Sequence, residues 1–206
     1  PDTGGAPIAT VGLELRADTR AAGSVSLDFL TWDGPPDVTL KRPAHGGTLW
    51  RRAWLDAVDH FEDRGARDLR IIQNHGTGLL FQGTREWSDY AVSATVTPGL
   101  AERAGLAARV QGLRRFYAFV LAPNGTAQLV KSLDGETVLA EAPFAWEYEA
   151  PYLLRLDVQG TRLRAWLGET LLLEVEDVER PLLGGGAGLI CTAGLLNADA
   201  VRVAGL

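Results

Sequence analysis

Apolar and polar positions alternate with a period of two along most of this chain. Tyr90, Val92, Ala94 and Val96 are separated by Ala91, Ser93 and Thr95, the pattern of a strand with one buried face. Leu106, Ala108 and Val110 alternate with Ala107, Arg109 and Gln111 in the same way. Residues 116–121 form a continuous aromatic and aliphatic run, and 127–133 and 136–141 read as further strands. Asn124-Gly125 and Asp134-Gly135 separate these runs. Both pairs accept the positive φ that tight hairpins demand. Later strands are predicted over 152–158, 163–167, 171–175, 188–192 and 198–203, with turns at Gln159-Gly160 and Gly168-Glu169. Helical signals are weak, one or two turns over 53–64 and one over 98–104. Many short, evenly spaced strands without long helices between them predict an all-β sandwich or barrel.

Residues 9–15 and 24–32 also read as strands, and Asp33-Gly34-Pro35-Pro36 breaks the chain after them. The stretches 23–29 and 194–201 share one order: Gly, a short apolar run, Asp, then more apolar residues. The expected organisation is therefore the tail strands of an upstream sandwich over 1–43 and a complete second sandwich over 44–206. A single domain whose first strands share composition with its last is the competing reading.

Composition narrows the function classes. The chain has 206 residues, 46% hydrophobic and 22% charged, the balance of a globular rather than a disordered protein. Its net charge of -6 argues against nucleic acid, whose binders carry a basic excess. No apolar run approaches the ~20 residues that span a bilayer, so no membrane partner is expected. Cys191 is the one cysteine, so no intrachain disulfide forms and four-cysteine zinc sites are excluded. It lies in a strand without a local histidine and reads as a buried structural thiol. The absence of methionine and the start at Pro1 read as a piece of a longer protein. One cysteine and no visible export signal make the cytoplasm the expected compartment.

Three segments carry a resemblance. They are Trp87-Ser88-Asp89-Tyr90-Ala91-Val92, then Gly105-Leu106-Ala107-Ala108-Arg109, then Arg115-Phe116-Tyr117-Ala118-Phe119. With the segments 127–131, 152–160 and 184–189, they resemble the concanavalin-A-like, laminin-G-like jelly roll, over roughly 69–203. The resemblance implies an antiparallel β-sandwich of jelly-roll type and leaves function open. Two further stretches support a narrower one. They are Leu27-Asp28-Phe29-Leu30-Thr31-Trp32-Asp33-Gly34-Pro35-Pro36 with Trp50-Arg51-Arg52-Ala53-Trp54, and Gln82-Gly83-Thr84-Arg85-Glu86-Trp87. These resemble the C-terminal β-sandwich region appended to bacterial ADP-ribosylglycohydrolase-family proteins. That family's catalytic part is a separate helical domain with two magnesium ions, and nothing of it is visible here. The resemblance implies a non-catalytic accessory module whose partner is the catalytic domain of a parent chain, and no cofactor of its own.

The most suggestive polar cluster is Arg109, Gln111, Arg114, Arg115 and Tyr117. With Leu106, Ala108 and Val110 facing the core, Arg109 and Gln111 face outward onto an open sheet. Gln82, Arg85 and Trp87 join them from neighbouring elements. Planar guanidinium and amide groups beside an aromatic ring suit a carbohydrate or an ADP-ribose-like nucleotide sugar. The alternative chemistry is a glycosidase on the same fold. Glu174, Glu176 and Glu179 have the spacing of a glycosidase Glu-x-Asp-x-x-Glu strand motif, which needs two carboxylates about 5 Å apart for retention. Their central residue is Glu rather than Asp, and no aromatic residue flanks them. A purely structural docking domain is the third reading. His45, His60 and His75 share no metal-ligand spacing. A structural calcium between the acidic stretch Asp56, Asp59, Glu62, Asp63 and Asp199 is a further expectation, since relatives of this fold often hold one.

Overall fold

The computed structural model describes residues 11–20, 22–30, 34–44, 47–62 and 69–206. β1 (Asp37–Leu40) is followed by a 3-10 turn over Leu49–Ala53, β2 (Leu55–Ala57), β3 (His60–Glu62) and β4 (Leu69–Gln82). β5 (Tyr90–Gly99), β6 (Arg103–Gly112), β7 (Arg115–Ala122), β8 (Thr126–Leu133) and β9 (Glu136–Pro143) come next. β10 (Tyr152–Gln159), β11 (Arg162–Leu167), β12 (Thr170–Glu176), β13 (Gly186–Ala198) and β14 (Val201–Gly205) complete the order. All the pairings are antiparallel. The protein is an all-β sandwich, and no described helix is long and apolar enough to cross a membrane.

Two long strands join the layers. Residues 186–192 of β13 pair with β6 and with 77–82 of β4. Residues 194–198 of the same strand pair with 69–73 of β4, and 195–198 also with β5. One sheet is thus β2-β4-β13-β6-β7-β8-β9, and the other is β3-β4-β13-β5-β10-β11-β12. β14 continues along the β5 edge at 90–93, with β1 outside it. The crossing needs a bend in each long strand. β13 bends at the register break between Thr192 and Gly194, and β4 bends near Gly76 at φ 66°, a conformation glycine adopts freely.

The alternation anticipated in the sequence builds the main core. Tyr90, Val92 and Val96 of β5 pack between the sheets with Leu154, Leu156 and Val158 of β10 and Leu106 and Ala108 of β6. A second cluster lies on the opposite face of the first sheet, where Phe116, Ala118, Val120 and Ala122 meet Leu79, Val110 and Ile190. That explains the unbroken apolar run of β7, which is buried on both faces.

Several expectations are corrected. The helical turns expected over 53–64 are replaced by the 3-10 turn and the short strands β2 and β3. Trp50 of that turn, Trp54 just after it and Phe61 of β3 are buried and pack as a ring cluster. The turn expected over 98–104 is a strand-to-strand bend between β5 and β6. The described parts of the strands expected over 9–15 and 24–32 are exposed and form no strand. The rest of those two segments lies outside the described residues. The boundary expected near 43 falls beside β1, which pairs with β14 and buries Leu40. Residues 37–40 therefore belong to this sheet.

Candidate binding site

The expected outward face of β6 does not exist at Arg109. The side chain is 0% exposed. A bulge shifts the strand between Ala108 and Gly112, and Arg109 itself sits at φ 48°. The shift turns the side chain inward. Its Nε donates to Ser88 O at 3.0 Å, and Nη1 donates to Gly160 O at 2.6 Å and Leu182 O at 2.7 Å. Nη2 reaches Asp89 Oδ1 at 3.1 Å. Its backbone N–H donates to Tyr90 Oη at 2.6 Å, and that hydroxyl donates to the carbonyls of Gly185 and Gly186. A Cβ on Gly185 would lie 2.4 Å from the Arg109 carbonyl carbon. The triple glycine 184–186 is thus the sequence signal for this close approach. Burial lowers the Arg109 pKa and raises that of Tyr90. Arg109 is a structural clasp and has no surface to offer a ligand.

Gln111 Nε2 donates to Gly184 O at 2.8 Å, beside the clasp. Tyr117 is buried, donates to Asp177 Oδ2 at 2.5 Å and accepts from Leu182 N at 2.9 Å. Burial first, then that carboxylate, raises the Tyr117 pKa. Arg115 is exposed and paired with Asp134 at 3.1 Å across the hairpin ends, and Arg114 is also exposed. Trp87 stacks edge-on against Tyr90 and covers Gly83. Arg85 is exposed and Gln82 is half-buried opposite Ala187. Gln82, Arg85, Trp87 and Gln111 thus surround the 184–186 glycines beside the buried Arg109, while Tyr117 is buried against Asp177 and Arg115 pairs with Asp134.

The structure opens a cleft elsewhere, where both long strands bend from one sheet to the other. It has a volume of about 410 Å³ and is lined by Ile72, Gln73, Asn74, Gly99, Leu100, Glu149, Ala193, Gly194 and Leu195. Three lining residues other than glycine hold positive φ: Leu100 at 52°, Glu149 at 61° and Ala193 at 39°. Each such residue costs about 1–3 kcal/mol, and such strain gathers at ligand sites. Gln73 is fixed by donation to His75 O at 2.7 Å and acceptance from Asp59 N at 3.2 Å. The Asp59 carboxylate accepts the Asn74 backbone N–H at 2.7 Å. The Glu149 N–H is held by Pro98 O at 2.8 Å. The side chains of Glu149 and Asn74 make no hydrogen bond among the described residues, so a carboxylate and an amide stand free beside three apolar walls. Sequence reasoning missed this site because its members come from four separate turns and bends and share no motif.

The acidic motif is dispersed. Glu174 faces Arg162 at 3.6 Å, and Glu176 accepts from Thr161 Oγ1 at 2.8 Å. Both lie on an exposed edge strand, outside the cleft. Glu179 is exposed on the loop after β12. His60 and His75 are exposed, while His45 lies outside the described residues. Among the described residues no three His, Cys, Asp or Glu side chains stand together as a metal site. Asp56 and Asp59 instead accept backbone N–H groups of Val58 and Asn74. Asp63, of the same stretch, lies outside the described residues. Cys191 is buried in the core, and burial raises its thiol pKa to about 12.

No family model and no curated protein matches the chain. Solved structures do. Carbohydrate-binding module CBM66 from Bacillus subtilis is 16% identical, with a TM-score of 0.66 over 74% of this chain and 95% of its own. A Bacillus subtilis protein of unknown function with a galectin-like fold is 14% identical, at a TM-score of 0.60 over 80% and 94%. The GH43 protein BlXynB from Bacillus licheniformis is 13% identical, at 0.58 over 75% of this chain and 37% of its own. The fold is thus the galectin-like, jelly-roll β-sandwich. These comparisons lend no support to the ADP-ribosylglycohydrolase association.

Proposed function

We propose that this chain is a non-catalytic carbohydrate-binding β-sandwich that holds a neutral glycan in the cleft at the strand bends. The observation that carries the reading is the free Glu149 carboxylate beside the Asn74 amide, Leu100 and Leu195 in a preformed cleft. A carboxylate accepts two hydrogen bonds from neighbouring sugar hydroxyls, an amide both donates and accepts, and leucine side chains cover the C–H face of a ring. The volume suits a small ligand. No lysine or arginine lines the cleft, so it lacks the cations that a diphosphate such as that of ADP-ribose requires. It also holds one carboxylate, where glycoside hydrolysis on the usual plan needs two. Likeness of fold to a carbohydrate-binding module supports the same reading.

Calorimetric titration with xylotetraose, cellotetraose, mannotetraose, kestose and ADP-ribose tests it. Saturable heat with at least one neutral glycan, and none with ADP-ribose, is expected. Silence with all the glycans contradicts the proposal, and so does product release from any of them.

A further inference from the structure

A second cavity of about 310 Å³ lies between the β8–β9 hairpin and the loop after β12, and it shares no lining residue with the cleft. Its base is a charged pair taken out of water. Lys131 Nζ lies 2.6 Å from Asp177 Oδ2, with the two side chains 9% and 5% exposed. The ammonium also donates to Glu179 O at 2.5 Å, and Tyr117 donates to the same Asp177 oxygen. Desolvating such a pair costs several kcal/mol per ion, and in many proteins a well-packed apolar pair fills such a space with no loss of stability. The pair therefore calls for a role besides filling the core. Above it stand the side chains of Thr137, Glu179 and Arg180, none with a partner among the described residues, while Arg180 holds φ 54°. Glu136 is neutralised by Arg103 at 2.5 Å. Leu133 and Leu139 complete the wall.

We propose that this cavity is a second subsite that takes one neutral sugar ring, an inference that rests on the carbohydrate-binding reading. Cations (Lys131, Arg180) and anions (Asp177, Glu179) alternate in it, so no field selects a charged ligand. A polyhydroxyl ring matches, because each hydroxyl donates to a carboxylate and accepts from an ammonium or guanidinium. The buried pair holds its donors and acceptor fixed before the ligand arrives, which lowers the ordering cost of binding.

The test is an NMR titration of the ¹⁵N-labelled full chain with methyl glycosides of glucose, galactose, mannose, xylose and fructose, and with methyl glucuronoside. Saturable shifts at the amides of Gly135, Thr137 and Glu179 with a neutral glycoside are expected. The wall variants Glu179→Gln and Arg180→Ala should weaken them about tenfold without moving the melting temperature, because neither side chain supports the fold. Shifts confined to Asn74, Leu100 and Leu195 would overturn this subsite while leaving the cleft intact. Shifts nowhere would overturn both readings. Response to the glucuronoside alone, or wall variants that bind as tightly as the parent, would also overturn it.

Discussion

Arg109 directs all three guanidinium nitrogens at partners inside the fold, three carbonyls and Asp89. Replacing it with alanine leaves those carbonyls without their donor and empties the space of a side chain that is itself fully buried. Arg109→Ala should therefore cost about 2–4 kcal/mol, from the charged hydrogen bonds lost and the cavity left behind, and thermal melting measures it. A neutral effect would return Arg109 to the surface. Cys191 makes a pH prediction. Its folded thiol pKa is raised above the ordinary 9.0 to about 12, so the folded state favours the neutral thiol. That contribution is complete below pH 9 and is lost as pH rises from 9 towards 12. Tyr90 and Tyr117 are raised as well, so the loss steepens above pH 10. Melting curves across this range should fall, and Cys191→Ala should remove the earliest part of the fall. At pH 8 the native thiol should ignore Ellman's reagent until denaturant is added.

Among the elements, strands β5 to β12 were legible because each is an alternating or, as in β7, an unbroken apolar run bounded by turn residues. β4 was not. It runs through Asn74-His75-Gly76-Thr77-Gly78, a polar and glycine-rich stretch without alternation, because that is where it changes sheets. Arg109 was misplaced for a related reason: period-2 arithmetic holds only until a bulge, and nothing in residues 106–111 alone announces one. The partner does, since the glycines of β13 stand where neighbouring backbone is too close for a side chain. A Cβ on Gly188 would lie 2.1 Å from Leu80 O. Gly188→Ala should then separate β13 from β4 and cost about 1–3 kcal/mol or more. Denaturant titration reads this, and an unchanged midpoint would deny the close approach. The free carboxylate of Glu149 was illegible because its cleft forms only when two bent strands meet two turns.

For the whole molecule, the question is where the sandwich begins. β1 adds Leu40 to the core and covers the outer edge of β14, with Arg202 paired to Asp37. A chain starting at Gly34 should melt with the full chain. One starting at Ala44 loses β1, and Leu40 alone is worth about 2 kcal/mol, or about 4–8 °C at this size. Equal melting of the two would detach β1 from the domain. The exposed positions Leu13, Leu15, Leu27 and Phe29 lie outside this sandwich in either case. What the assembled sandwich is for is tested most directly by the affinity of the full chain and its Glu149→Gln variant for the neutral glycan that binds in the calorimetric panel. The variant keeps the shape and the backbone of the cleft and removes only the charged acceptor. The expected result is an unchanged melting temperature and a loss of affinity of at least about tenfold, the worth of a charged hydrogen bond. Equal affinity of the two proteins for that glycan would contradict it.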